Sequence, residues 1–260
     1  MSRIGYKYVE AGSASLEVDG DVEQYAATMA YRPGRFASRE EFLSAHDLRW
    51  VRELHGVLCE LLDPDRLVLG IGSGEGEHEV LLHNAGYRVM ASDIVPDVLR
   101  DAASLFPEMP TLTLDVFGDE VVECDDILAT GLDFYFDDVQ VQELFAAVRR
   151  RLRPRGRFVF VLRYRDNPAT FLIDRVGLPL LAATRRWRGR SLVRKAHGYR
   201  RSISEITQLA QSSGFEVDRL RYAAAAMELE RLIPAPPVAV RLDRRLHVLN
   251  SATVVELVAV

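Results

Sequence analysis

Apolar residues along this chain fall into short continuous runs separated by stretches with helical spacing. Val68-Leu69-Gly70-Ile71, the run at 87–92 around Val89-Met90-Ala91, the run at 125–130 around Ile127-Leu128-Ala129, and Phe158-Val159-Phe160-Val161-Leu162 all have strand length. Apolarity that is continuous rather than alternating predicts strands covered on both faces, as in a parallel sheet. Between them, Phe42, Leu43, Leu48, Val51, Leu54, Val57, Leu58 and Leu61 recur every three or four positions, as do apolar residues over 139–152. The first of these segments opens on Ser38-Arg39-Glu40-Glu41, a serine cap followed by acids where the helix dipole favours them, and predicts one helix lying on the sheet. A further helix is expected over 204–213, and an amphipathic pattern over 168–187 is broken by Gly177 and Pro179. Two closing strands, near 216–223 and 247–260, flank the extended linker Pro234-Ala235-Pro236-Pro237. This order of elements predicts an α/β fold.

The first run opens into Gly70-Ile71-Gly72-Ser73-Gly74-Glu75-Gly76, and the second ends at Asp93. Glycines let a backbone turn sharply and approach a ligand, and a carboxylate one strand later can accept from both hydroxyls of a ribose. The pair predicts an adenosine-type site at the carboxyl edge of the sheet. A dinucleotide fingerprint read from Gly72 would need a small third residue at position 77, where this chain has Glu77. The pattern is G-x-G-x-G instead.

In that motif, and in the elements that follow it, the chain resembles the class I S-adenosylmethionine-dependent methyltransferases. Asp93-Ile94 ends the second strand; Thr111-Leu112-Thr113-Leu114-Asp115-Val116 matches the third; Asp125-Asp126-Ile127-Leu128-Ala129-Thr130 runs into the loop Gly131-Leu132-Asp133-Phe134-Tyr135. Arg153-Pro154-Arg155-Gly156-Arg157 matches the turn into the fifth strand, and Gly214-Phe215-Glu216-Val217 the step after the last helix. The resemblance spans roughly residues 40–222. It implies a doubly wound, Rossmann-like, seven-stranded, mostly parallel sheet with an antiparallel edge strand and a helical cap insertion. It also implies S-adenosyl-L-methionine as cofactor and S-adenosyl-L-homocysteine as product, held by Gly70, Gly72, Ser73, Gly74, Asp93, Ile94, Asp115, Val116 and Thr130. Leading segments in this family often fold over the cofactor, which makes Tyr25 and Arg32 candidates for its carboxylate end. The organisation expected is an N-terminal lid at 1–37 and a methyltransferase domain at 38–260, with the acceptor-site cap inserted at about 164–201. One position departs from the family, which usually has an acid where this chain has Gly70. Glu75, Glu77 or a group from the amino-terminal segment is expected to take over that acid's role.

Composition changes this picture little. A hydrophobic fraction of 48% and a charged fraction of 27% are those of a globular protein, so wholesale disorder is excluded. No apolar run approaches the roughly 18 residues of a membrane span, and the first twenty residues lack a signal-peptide core, so the expected location is cytoplasmic. Cys59 and Cys124 stand alone without metal-ligand spacing, and no metal site is expected. Charge, by contrast, is uneven. Residues 149–201 hold 17 basic and 2 acidic residues, against 10 and 29 in 1–148 and 6 and 7 in 202–260.

That basic segment contains Arg194-Lys195-Ala196-His197-Gly198-Tyr199-Arg200-Arg201. An oxygen acceptor must lose a proton, which makes His197 the first candidate base and Tyr135, after the fourth strand, the second. A surface histidine in a basic loop is the competing account of His197. Arg194, Tyr199 and Arg200 are candidates for an anionic, phosphate- or nucleotide-linked small molecule, because guanidinium forks match such groups. Simple solvation explains a basic stretch equally well, and Arg149-Arg150-Arg151 suits a helix carboxyl end. Two rival functions stay open: RNA modification through the arginine cap, and a non-catalytic binding role suggested by Gly70. Nucleic acid ranks last, since most of the chain is acidic and the fourth strand lacks an asparagine-proline-proline-aromatic motif.

Overall fold

The structure is a computed structural model and describes residues 3–10, 34–163, 176–189, 192–225 and 250–259. Its elements in chain order are β1 (Arg3–Glu10), α1 (Arg39–Ala45), α2 (Arg49–Leu61), β2 (Leu67–Ile71), α3 (Glu77–Asn84), β3 (Arg88–Asp93), α4 (Arg100–Leu105) and β4 (Thr111–Thr113). There follow β5 (Cys124–Thr130), a 3-10 turn (Leu132–Phe134), α5 (Asp138–Arg151), β6 (Leu152–Arg163), α6 (Leu178–Trp187), β7 (Leu192–Arg200), α7 (Ile203–Ser212), β8 (Phe215–Ala225) and β9 (Asn250–Ala259). Seven strands form one sheet in the order β4-β3-β2-β5-β6-β9-β8. The pairs from β4 through β6 are parallel, and β9 runs antiparallel to both β6 and β8 at the far end. The chain leaves β2 towards β3 on one side and later returns to β5 on the other. The crevice at the carboxyl ends of β2 and β5 is therefore the switch point where open α/β sheets take ligands.

Alternate residues of the same strand feed two separate cores, which is why the strand sequences are apolar throughout. Val68, Leu128, Val159, Val161 and Val254 face α2, α3 and α4, with Leu54, Leu58, Val80 and Ala102 against them. Leu69, Ile127, Phe158, Phe160 and Val255 face α5 and α7, packed by Leu144, Phe145, Val148 and Ile206. Phe145 meets Phe158 and Phe160 edge-on, at centroid distances of 5.9 and 5.7 Å. Truncating such a ring to alanine typically costs about 3–5 kcal/mol. At the strand-start end, Arg157 on β6 grips Asp126 on β5 with two hydrogen bonds of 3.0 and 2.6 Å, and Arg66 reaches the same carboxylate at 3.0 Å. This buried pairing fixes the β5–β6 register.

The single helix expected after Ser38 is two. Ser38 does cap α1, accepting from Glu41 N at 3.1 Å, but the helix stops at His46, whose ring Nδ1 bonds Phe42 O at 2.8 Å. Leu48, assigned by periodicity to the sheet face, lies outside α2 and is 47% exposed. The third strand is shorter than its sequence pattern, so Asp115 and Val116 belong to the loop that follows it. Helix α7 starts one residue earlier than expected, capped by Ser202 in a reciprocal box with Glu205.

A second, two-stranded sheet pairs β1 with β7 in antiparallel register, from Arg3 opposite Arg200 to Glu10 opposite Leu192. It ties part of the leading segment to part of the interval at 164–201. Strand β7 also packs on the 3-10 turn after β5.

Candidate active site

Beyond Ile71 the chain turns through Gly72 and Gly74, at φ of 60° and 58°, before α3 begins. An L side chain is strained at both, and at Gly72 a Cβ would also lie 2.4 Å from Leu132 Cδ2. The alternating glycines are thus demanded by the backbone itself. Hydrogen bonds lock this loop to the end of β3: Ser73 N donates to Ser92 O at 2.9 Å, Ser92 N to Ser73 Oγ at 3.2 Å, and Gly74 N to Asp93 Oδ2 at 3.0 Å. Val95 N donates to Asp93 Oδ1 at 3.0 Å. Burial raises the Asp93 carboxyl above its ordinary range, opposed by these backbone donors. A carboxylate offers about four acceptor positions, so acceptor capacity remains for a ribose hydroxyl after the backbone donors of Val95, Gly74 and Ile94 are served. Ile94, half-buried, follows directly.

Leu114 N donates to Asp93 O at 2.9 Å, which brings the third acid to the same edge. Asp115 is exposed, and its Oδ1 accepts from Phe117 N at 2.9 Å. Val116 is half-buried beside it. At the end of β5, Thr130 Oγ1 is buried without a hydrogen-bond partner among the described residues. Tyr135 is half-buried after the 3-10 turn, edge-on to Phe134 at 5.6 Å. Glycine loop, Asp93, Asp115, Thr130 and Tyr135 therefore line one edge of the sheet.

His197 sits where the β1–β7 register slips, since Gly5 pairs with Gly198 while Tyr6 pairs with Ala196. Arg194 is opposite Tyr8, Tyr199 opposite Ile4 and Arg200 opposite Arg3. Tyr25 and Arg32 lie outside the described residues.

Arg201, which ends the basic segment, spends its guanidinium internally. It is buried and donates to Asp133 O at 2.8 Å, to Phe136 O at 2.7 Å and to Asp138 Oδ1 at 2.8 Å, pinning the post-β5 loop to the end of β7. Arg151 behaves alike below β4, donating to Gly118 O at 3.2 Å and Glu120 O at 2.6 Å. Neither role has a local sequence signal, because both depend on loop carbonyls distant in the chain.

Of the candidates for the acid missing at Gly70, Glu75 and Glu77 are turned to other partners, and most of the amino-terminal segment lies outside the described residues. Glu75 pairs with Arg35 at 2.9 Å and His46 at 3.0 Å, holding the loop to the leading segment, and Glu77 Oε1 lies 4.0 Å from His78 Nε2. Glu79 of α3 fills the position instead. A Cβ on Gly70 would stand 2.2 Å from its Oε1, which accepts from Ser73 Oγ at 2.9 Å, while Oε2 is buried without a hydrogen-bond partner among the described residues. Among those residues no group of three metal-ligating side chains comes together, and no helix is long and apolar enough to cross a membrane.

No family model matches the chain, and no curated protein does so by sequence. Solved structures do. The mitomycin 7-O-methyltransferase MmcR is 20% identical over 85% of this chain and 57% of its own, with a TM-score of 0.58. The 1,6-didemethyltoxoflavin-N1-methyltransferase of Burkholderia thailandensis, solved with its substrate and S-adenosylhomocysteine, is 18% identical over 100% and 96%, with a TM-score of 0.56. Magnesium protoporphyrin IX methyltransferase of Synechocystis PCC 6803, with bound S-adenosylhomocysteine, is 13% identical over 92% and 95%, at 0.54. The chain has the class I methyltransferase fold. This chain spans just over half the length of the mitomycin enzyme. What it shares with all three methyltransferases is architecture. The residues present fit the adenosyl cofactor that the methyltransferase fold implies: a cradle closed to side chains at Gly72, a buried carboxylate with spare acceptor capacity at Asp93, and a buried carboxyl oxygen at Glu79 awaiting a partner.

Proposed function

We propose that the chain is an S-adenosylmethionine-dependent methyltransferase acting on a small molecule, with an oxygen of an anionic, phosphate- or nucleotide-linked acceptor favoured. The observation that carries the reading is the backbone lock between Gly74 and Asp93 at the sheet's switch point. When bound, the cofactor supplies a methyl group on a sulfonium, open to in-line displacement. Asp93 then accepts from the ribose hydroxyls, Asp115 and Val116 border the adenine, and Gly72, Ser73 and Thr130 border the methionine end. Positioning of the acceptor dominates such a reaction, and the proton lost by an oxygen acceptor goes to His197 or Tyr135. Arg194, Tyr199 and Arg200, on the flap strand β7, hold the anionic part of the acceptor. The segments at 1–37 and 164–201 act together as lid and cap, since β1 and β7 are paired.

Two observations favour a small acceptor over RNA. Arg151 and Arg201, both in the basic segment, are buried on backbone carbonyls and unavailable to phosphates, and the three neighbours described above are all named for small-molecule acceptors. The test is transfer of an isotopically labelled methyl group from S-adenosylmethionine to a panel of hydroxylated anionic small molecules, read by mass spectrometry. Asp93→Ala is expected to abolish labelling, and His197→Ala to depress kcat more than KM. A folded protein that binds no S-adenosylhomocysteine in calorimetry sinks the proposal.

A further inference from the structure

Glu79, on α3 behind the glycine loop, is a buried carboxyl that neither packing nor the loop's own hydrogen bonds account for. It is 3% exposed, on the buried face of α3 beside His78 and Val80, where an apolar side chain would satisfy the core. One oxygen serves Ser73, and the other has no hydrogen-bond partner among the described residues. The same carboxyl occupies the space that a side chain at Gly70 would need, since a Cβ there would be 2.2 Å from Oε1 and 2.7 Å from Ser73 Oγ. A side chain at position 70 and the Glu79 carboxyl are therefore spatially exclusive. A carboxyl at this point can be delivered from the strand or from the helix, but not from both.

We propose that Glu79 stands in for the side chain that β2 lacks at Gly70, as the carboxyl that balances the ammonium group at the methionine end of the cofactor, acting through Ser73 and the glycine loop. This rests on the methyltransferase reading. The neighbours that act on it electrostatically, Glu77 on its own helix and Asp93 on β3, are both acids, so a cation is the ligand charge that complements this corner. Burial, aided by Glu77 and Asp93, pushes the Glu79 carboxyl up to about 8. It is thus protonated near neutrality, and an arriving ammonium group drives that proton into the buffer. Affinity for a ligand carrying the ammonium rises with pH while the free carboxyl titrates, and falls again once the ligand's ammonium loses its own proton.

Calorimetry of the full chain in buffers of different ionisation enthalpy at pH 7 tests this with two probes, S-adenosylhomocysteine and 5′-methylthioadenosine, which share the adenosine and differ in the amino-acid end. S-adenosylhomocysteine is expected to release about one proton and methylthioadenosine none. Glu79→Gln is expected to remove the release and weaken S-adenosylhomocysteine about tenfold, leaving methylthioadenosine unchanged. The double variant Gly70→Asp, Glu79→Ala is expected to restore the preference for S-adenosylhomocysteine. Equal weakening of both probes in Glu79→Gln means a merely structural role and overturns the proposal. So does proton release that persists in the variant. If Glu79→Gln does not fold, the wild-type contrast between the probes decides: equal release by both overturns it. Binding of neither probe by the wild type is a different result, which removes the methyltransferase reading itself.

Discussion

Arg201→Met offers the sharpest test of how the site is held together, because methionine keeps much of the apolar stem while removing all five donors. The guanidinium serves one buried carbonyl, Asp133 O, one partly buried carbonyl, Phe136 O, and the Asp138 carboxylate, whose side chain is 45% exposed. A hydrogen bond from a charged group is worth about 1.5–3 kcal/mol, so the two carbonyls together account for about 3–6 kcal/mol. The exposed partner adds less than about 1 kcal/mol, being screened by water. Urea unfolding with an m-value of about 3 kcal/mol per molar should then show the midpoint falling by about 1–2 M. Asp138→Ala is the matched control, since it removes the solvent-facing partner alone and should move the midpoint by no more than about 0.3 M. If Arg201→Met unfolds within about 0.2 M of the wild type, the guanidinium is not the pin that joins the post-β5 loop to the flap. If the two variants lose equally, the energy lies in the surface ion pair and the argument from the buried carbonyls fails.

Two further outcomes follow from the glycine loop and its attachment. Gly72→Ala meets both a left-handed backbone and Leu132, whereas Gly74→Ala meets the backbone alone, with nothing within 4 Å of its Cβ. The first should cost at least about 2 kcal/mol and the second about 1 kcal/mol by urea denaturation, and equal losses would remove the contact with Leu132 from the account. His46 faces acceptors on both ring nitrogens, and although burial disfavours its charge, the hydrogen bonds to Glu75 and Phe42 win and raise its pKa, while Glu75 is lowered chiefly by His46. The stability contributed by this pair is therefore complete between the two ordinary pKa values. It is lost as pH rises through the raised pKa of His46, and again as pH falls through the depressed pKa of Glu75. Melting temperatures of wild type and Glu75→Gln should converge at low pH and draw closer at high pH, where only the exposed Arg35–Glu75 pair is left, and a pH-independent gap would refute the pairing with His46.

The parts of the fold that could be read from the chain are those whose cause is local. Val68 to Ile71 and Phe158 to Leu162 are strands because two cores claim alternate residues, and that demand writes an unbroken apolar run. Gly72 and Gly74 announced the loop because its backbone admits little else. What stayed hidden depends on pairings across long stretches of sequence. Arg3–Glu10 finds its partner about 190 residues away, so its few apolar positions gave no sign of a strand. Glu79 looked like any acid in the first turn of a helix. Its one trace was a vacancy elsewhere, the missing acid at Gly70, and only coordinates connect the two positions. His46 broke a helix whose apolar spacing runs straight through it, because a ring bonded to Phe42 O and Glu75 outweighed periodicity.

The place of β9 between β6 and β8 bears on how the molecule is made. Of the seven strands in the main sheet it is the last to leave the ribosome, yet it carries the ladders of two others. Until it emerges, β6 presents a bare apolar edge that nascent neighbours on a polysome can copy. Mispairing at that edge before β9 arrives is therefore a route by which newly made chains can be lost to aggregation.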